Sequence, residues 1–206
     1  SSLAIRYSHP EWIINSYRDF ISDLEELKAL LVANNSATTP TLVAWPSQSL
    51  PSEFAGAPGK YSPYAIKIEQ TPGEIAAIKE RRAGIQDEGS QVLTLAFAAA
   101  AKKKEPWLDL CAGPGGKAAL LSYLSQSKLI ANEISEARAN LVKQVVKEGS
   151  EVVIGDGRMQ TADVNSVLAD VPCTGLGALR RRPEVRWRST PNDLRSEEHT
   201  SELQSH

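Results

Sequence analysis

From Trp107 onward, short apolar runs alternate with helix-length stretches, and this alternation constrains the fold more than any other feature of the chain. Trp107 to Leu110, Leu129 to Asn132, Val152 to Ile154 and Val167 to Ala169 read as strands. Ser90 to Lys103, Lys117 to Leu124 and Ser135 to Val146 read as helices before and between them. A strand that is followed by a helix is re-entered from the same end, so such strands pair side by side in one direction. The expected fold class is therefore α/β, a parallel sheet with flanking helices.

Residues 1–84 read differently, as a small α+β unit. Pro10 sits where a helix can start. Trp12, Ile13, Tyr17, Phe20, Ile21, Leu24, Leu27, Leu30 and Leu31 then recur at helical spacing until Asn34-Asn35. Thr41 to Trp45 is a strand candidate between two prolines, Pro51 to Pro63 is loop, and Ala65 to Glu69 alternates. Pro72 opens a second helix that ends near Gly84. The composition shift places a domain boundary there, with residues 85–194 forming the second domain.

The last twelve residues, Arg195 to His206, match in one frame the translation of a common sequencing-adapter read, so 195–206 is expected not to be native. Without them Lys+Arg falls from 23 to 22 and Asp+Glu from 25 to 22, which turns a formal charge of −2 into zero. The longest apolar run, Val92 to Ala101, spans ten residues, short of the roughly 18–20 that a bilayer span needs. The N-terminus shows no secretory signal, and two cysteines suit a reducing cytoplasm, the expected location. No metal and no protein partner are expected.

The segment Asp109-Leu-Cys-Ala-Gly-Pro-Gly-Gly-Lys117 follows the first parallel strand and opens a helix. Glycines let backbone approach a ligand, and a helix N-terminus offers unpaired N–H groups. Glu133 ends the next strand, where a carboxylate can bind both hydroxyls of a ribose. Asp156 and Asp170 end the third and fourth, so four successive strand ends carry acids on the edge where open α/β sheets bind ligands. Gly113-Pro-Gly-Gly-Lys-Ala118 also fits G-x-G-x-x-A, which keeps a nicotinamide-dependent oxidoreductase open.

Past the fourth strand the chain reads Asp170-Val-Pro-Cys173. A thiol there suits attack on a pyrimidine ring: adding a thiolate to carbon 6 of cytosine makes carbon 5 enamine-like and able to take a methyl group. An acid beside ring nitrogen 3 offsets the developing charge. Cys173 and Asp170 are the catalytic candidates, with a small buried hydrophobe as the plainer alternative for the cysteine.

Taken together these residues resemble the Sun (Fmu) family of S-adenosylmethionine-dependent ribosomal RNA cytosine-5 methyltransferases, and its actinobacterial members in particular. Asp109 to Lys117 resembles the family's cofactor motif, Gly155-Asp-Gly-Arg158 its third motif and Asp170 to Trp187 its fourth. Gln86 to Gln91 resembles the lead into its catalytic domain, and Arg6 to Trp12 with Asn34-Asn35 the linking domain before it. The resemblance implies a Rossmann-like methyltransferase domain, lacking its C-terminal strands here, preceded by a small α+β linking domain that helps hold RNA. It implies that Cys111, Ala112, Gly113, Pro114, Gly115, Gly116 and Lys117 wrap the methionine and ribose end of S-adenosylmethionine. Glu133 would hold the ribose, Asp156 would face the adenine, and Asp170 would lie between cofactor and target base; Arg138 and Gly157 are also expected among the cofactor-binding residues.

One departure matters. In the family the attacking cysteine belongs to a later Thr-Cys-Ser motif, and the cysteine equivalent to Cys173 assists release of the methylated RNA. This chain has Cys111 and Cys173 alone, so a chain cut short by adapter is expected to be poorly stable and inactive. Arg180, Arg181, Arg182, Arg186 and Arg188 are expected to contact RNA phosphates, and Trp187 to stack on a base or pack inside. A non-catalytic RNA-binding protein that kept the fold also remains open.

Overall fold

The computed structural model describes residues 2–193, and the adapter-like segment 195–206 lies outside them. Contacts divide the chain into two compact units: residues 1–38 together with the chain from Pro172 on, and residues 39–171. The composition boundary at residue 84 falls inside the second unit, within a strand (residues 83–85) of its antiparallel sheet.

The first unit begins with three helices, α1 (Ser2–Tyr7), α2 (Glu11–Arg18) and α3 (Leu24–Asn35). The single helix expected from Pro10 to Asn34-Asn35 is thus broken in two. Asp and Ser favour caps over helix interiors, and the Asp23 carboxylate accepts the Glu25 N–H at 2.8 Å to start α3 afresh. The break leaves Phe20, expected on the apolar face, 91% exposed. The core here is Leu3, Ile14, Leu27 and Leu31, flanked by Tyr7 and Tyr17.

In the second unit, β1 (Thr41–Ala44), β2 (Ala57–Pro58), β3 (Ala65–Lys67), α4 (Ala76–Lys79) and β4 (Ala83–Ile85) come first. The strands form an antiparallel sheet in the order β2-β3-β1-β4. The helix expected from Pro72 to Gly84 is a 3-10 turn, one turn of α4, and then β4. Three-residue strands are too short to show a period in sequence, and β4 is fixed by long-range pairing, Val43 with Gly84 and Ala44 with Ala83.

There follow α5 (Glu88–Ala100), β5 (Trp107–Asp109), α6 (Gly116–Leu124), β6 (Leu129–Glu133), α7 (Glu136–Lys143), β7 (Glu151–Ile154) and β8 (Ser166–Leu168). All four strands are parallel, in the order β7-β6-β5-β8. The expected α/β class and Rossmann-like sheet are what the structure shows. The sheet core is Trp107, Ala118, Leu121, Leu129, Ala131 and Val142, with Phe97 edge-on to Trp107 at 5.4 Å. Burying each large apolar side chain contributes roughly 1.5–3 kcal/mol.

Helix α6 is buried on two sides. Its Ala118 and Leu121 face the parallel sheet, while Ala119 and Leu120 pack on Val43 and Trp45 of the antiparallel one. Tyr123 stacks on Trp45 at 5.7 Å. Gln91, fully buried in α5, donates to the Leu42 and Gln86 carbonyls and accepts from Ser62 Oγ at 2.7 Å. The helix that leads into the parallel sheet is thereby stitched to β1. Among the described residues no helix is long and apolar enough to cross a membrane.

Past β8 comes α8 (Val185–Arg188), which belongs to the first unit.

Candidate functional site

Strand β5 has β6 on one side and β8 on the other. The chain leaves β5 toward β6, so the sheet order reverses between β5 and β8, and the crevice beyond the carboxyl ends of those two strands is where such sheets take ligands. Asp109 ends β5, Glu133 ends β6, and Asp156 and Asp170 follow β7 and β8 by two residues each.

Three strand-end loops are tied together by Asn132. Its Nδ2 donates to the Leu110 and Gly155 carbonyls at 3.1 Å each, and its carbonyl accepts the Ala112 N–H at 2.8 Å. Asn132 was not singled out in the sequence, although a polar residue that is 2% exposed inside an apolar strand is a signal. Gln160 supports it, donating to Asn132 Oδ1 at 3.3 Å.

The glycine turn closes on Glu133. The carboxylate accepts the Gly113 N–H at 2.9 Å on one oxygen and the Ser135 N–H at 2.9 Å on the other. Arg138 brings its Nε to 3.6 Å from the first oxygen and donates through Nη2 to the Gly113 carbonyl. A Cβ at residue 113 would run into the Glu133 carboxylate and come within 2.9 Å of Arg138 Nε. The Gly113–Pro114 peptide is cis. Gly115 starts α6 at φ +114, a left-handed conformation that favours glycine, and a Cβ there would meet Val145 at 2.7 Å.

Asp109 is 1% exposed, and among the described residues no side chain hydrogen-bonds its carboxylate. Burial pushes its carboxyl up to about 7; the Cys111 amide and Lys117 pull it back in part, while Asp170 and Glu133 add to the rise. Cys111, half-buried beside these acids, has its thiol raised first by burial and then by their charge. Lys117 Nζ sits 2.5 Å from Asp170 Oδ2. Asp156 is held down at about 2 by hydrogen bonds from the Arg158 side chain and backbone.

The set fits a cationic, ribose-bearing cofactor. A carboxylate offers four lone-pair positions; Glu133 spends two on backbone N–H groups and keeps two for a vicinal diol. Asp109 is a buried acid with no positive partner of its own at hydrogen-bond distance. The two glycines hold backbone where any side chain would intrude. Among the described residues no three His, Cys, Asp or Glu side chains come together as a metal site would need.

Cys173 is exposed and belongs to the first unit, as do the arginines. Four of these, Arg180, Arg181, Arg182 and Arg188, are exposed, and so is Trp187, at 67%. Arg186 departs from expectation. It is 4% exposed and donates to the Ser8 and Asn34 carbonyls and to Asn35 Oδ1, so it is turned away from any phosphate in solvent.

Comparison with known proteins agrees with this geometry. MT1451 of Mycobacterium tuberculosis, assigned by inference as a methyltransferase, is 40% identical over 205 residues, covering 93% of this chain and 45% of its own. Ribosomal RNA small subunit methyltransferase B of Escherichia coli is 27% identical over 210 residues, covering 92% of this chain and 48% of its own. The chain therefore spans about half the length of these curated relatives. The crystal structure of PH0851 superposes with a TM-score of 0.83 at 22% identity, covering 95% of this chain and 48% of the other. NSun6 from Pyrococcus horikoshii, solved with SFG, gives 0.75 at 12%, covering 91% and 76%; both likenesses speak to the fold. A family model described as 16S rRNA methyltransferase RsmB/F matches residues 96–205. A match over that much of the chain, on a parallel sheet whose reversal point carries a glycine cradle and a ring of acids, makes this chain a member of the RsmB/F rRNA methyltransferase family.

Proposed function

We propose that this protein methylates carbon 5 of cytosine in RNA, with S-adenosylmethionine as donor and small-subunit ribosomal RNA as substrate. The observation that carries the reading is Asp170-Val-Pro-Cys173, which follows the strand beside β5 at the reversal of the sheet in a chain of an rRNA methyltransferase family. The NSun6 structure, solved with the S-adenosylmethionine analogue SFG, supports the cofactor.

When bound, S-adenosylmethionine supplies an electrophilic methyl group on a positively charged sulfur. Residues 111–117 would bring backbone N–H groups to its methionine and ribose end, and Glu133 would accept from the ribose hydroxyls. Asp156, with Gly157, would face the adenine, and Arg138 would hold the turn against Glu133. Asp109 would take up the positive charge that the fold denies it. Asp170 would hydrogen-bond ring nitrogen 3 of the cytosine and offset the charge that develops there. The sequence contains no Thr-Cys-Ser. By the family resemblance Cys173 would serve release of the methylated RNA, and the 206-residue chain alone would bind cofactor without turning over.

Residues 85–194 would form the cofactor-binding domain and residues 1–84 the linking domain that helps hold RNA. The exposed arginines, 180, 181, 182 and 188, would neutralise RNA phosphates, and Trp187 would stack on a splayed base.

Bisulfite sequencing of small-subunit ribosomal RNA, from cells with and without the gene that encodes this chain, tests the reading. One cytosine should lose its protection when the gene is deleted and regain it with the wild-type gene but not with Asp170→Ala. Unchanged protection at every cytosine would overturn it.

A further inference from the structure

Arg186 is a buried cation with no carboxylate paired to it among the described residues. Its planar fork is spent on three acceptors: Nη1 donates to the Ser8 carbonyl at 2.9 Å and to Asn35 Oδ1 at 2.7 Å, and Nη2 to the Asn34 carbonyl at 3.3 Å. Two of these lie at the end of α3, where helix carbonyls lack partners and the dipole favours a cation. The asparagines are themselves held from behind. Asn35 Nδ2 donates to the Tyr7 carbonyl at 2.8 Å, and Asn34 Nδ2 reaches Tyr17 Oη and His9 Nε2 at 3.4 Å each. Burial depresses the Arg186 guanidinium. Burying an arginine in this way is costly, and an apolar side chain would fill the space more cheaply.

The same segment is tied at three further points. Tyr17 Oη donates to the Leu176 carbonyl at 3.5 Å, Arg180 to the Ala37 carbonyl at 3.4 Å, and Ser189 Oγ to the Thr174 carbonyl at 3.4 Å. Thr174 is the residue after Cys173. A path of hydrogen bonds thus runs from the N-terminal helices through α8 to the backbone beside the thiol, all within one compact unit.

We propose that Arg186 is a positioning residue for Cys173: by pinning α8 to Ser8, Asn34 and Asn35, it fixes the loop that carries the thiol. The purpose of this rests on the reading that Cys173 serves the reaction; the pinning does not. A five-donor guanidinium can meet three acceptors at once, whereas an ammonium is a single point. The conservative change to lysine should therefore restore only part of the restraint.

The test uses the 206-residue chain with a nitroxide on Cys173 and Cys111→Ser as background. In Arg186→Met the rotational correlation time of the label should shorten by about threefold or more, as a held loop becomes a free one on the nanosecond scale. Arg186→Lys should fall between, and Asn35→Ala, which removes one acceptor, should move the same way if Arg186→Met fails to fold. Hydrogen exchange of β5 and β6 amides serves as reference and should not change. A label whose motion is unchanged in a folded Arg186→Met chain would overturn the proposal, and so would loosening of β5 and β6 in step with the label. If the restraint is found while ribosomal RNA methylation is not, Arg186 still positions Cys173, and the reaction assigned to the thiol is what fails.

Discussion

Asp109 is an acid that folding makes harder to ionise. Its carboxyl rises from 3.8 to about 7 because burial outweighs the pull of the Cys111 amide and Lys117. Between those values the folded chain binds more protons than the unfolded one, so stability falls as pH rises through that window and is flat above it. The loss is at most about 4 kcal/mol. Asp109→Asn should abolish this slope and make the chain more stable than wild type at pH 8, measured by urea unfolding at pH 5 and pH 8. An unchanged slope would place the titrating group elsewhere. Gly113 makes the opposite case, since its value lies in the side chain it lacks. Gly113→Ala drives a methyl group into the Glu133 carboxylate. It should cost about 1–3 kcal/mol of stability and weaken S-adenosylmethionine binding at least about tenfold, read by thermal unfolding and calorimetry.

At the scale of elements, the parallel half of the fold was legible in the sequence because helices long enough to show a period stand between β5 and β6 and between β6 and β7, and β8 follows as a short apolar run. Strands β5 to β8 each fall within a residue of their expected limits. The antiparallel half was less so: β2 and β4 are short, and what defines them is pairing with distant residues. The same division runs through the site. Gly113, Gly115, Glu133 and Asp170 announce themselves by residue type and position, and the structure brings the turn onto Glu133 and Lys117 onto Asp170. Asn132 was not singled out and Arg186 was read as an RNA contact, because what they touch is carbonyl oxygen from remote segments. Asn132→Ala checks this reading. It strips the donor from the Leu110 and Gly155 carbonyls, each buried loss costing roughly 1–3 kcal/mol. The midpoint of urea unfolding should fall, with the slope of the transition kept.

At the scale of the whole molecule, the cofactor cradle and the thiol lie in different compact units of one chain. In the proposed function binding would ask for residues 109–170 and transfer also for a nucleophilic cysteine, while the sequence holds two cysteines, Cys111 at the glycine turn and Cys173, proposed to serve release. The 206-residue chain should take up S-adenosylmethionine and be stabilised by it, by about 2.7 kcal/mol at one hundred times its Kd. It should transfer no radiolabelled methyl group to ribosomal RNA. Measurable transfer would make Cys173 itself the attacking thiol.

Everything rests on what the cradle binds, and titration calorimetry of the chain against S-adenosylmethionine and against NAD decides it. One site for S-adenosylmethionine, lost in Glu133→Ala, with no heat from NAD, is the expected result. Binding of NAD, or no binding of S-adenosylmethionine by the folded chain, would contradict it.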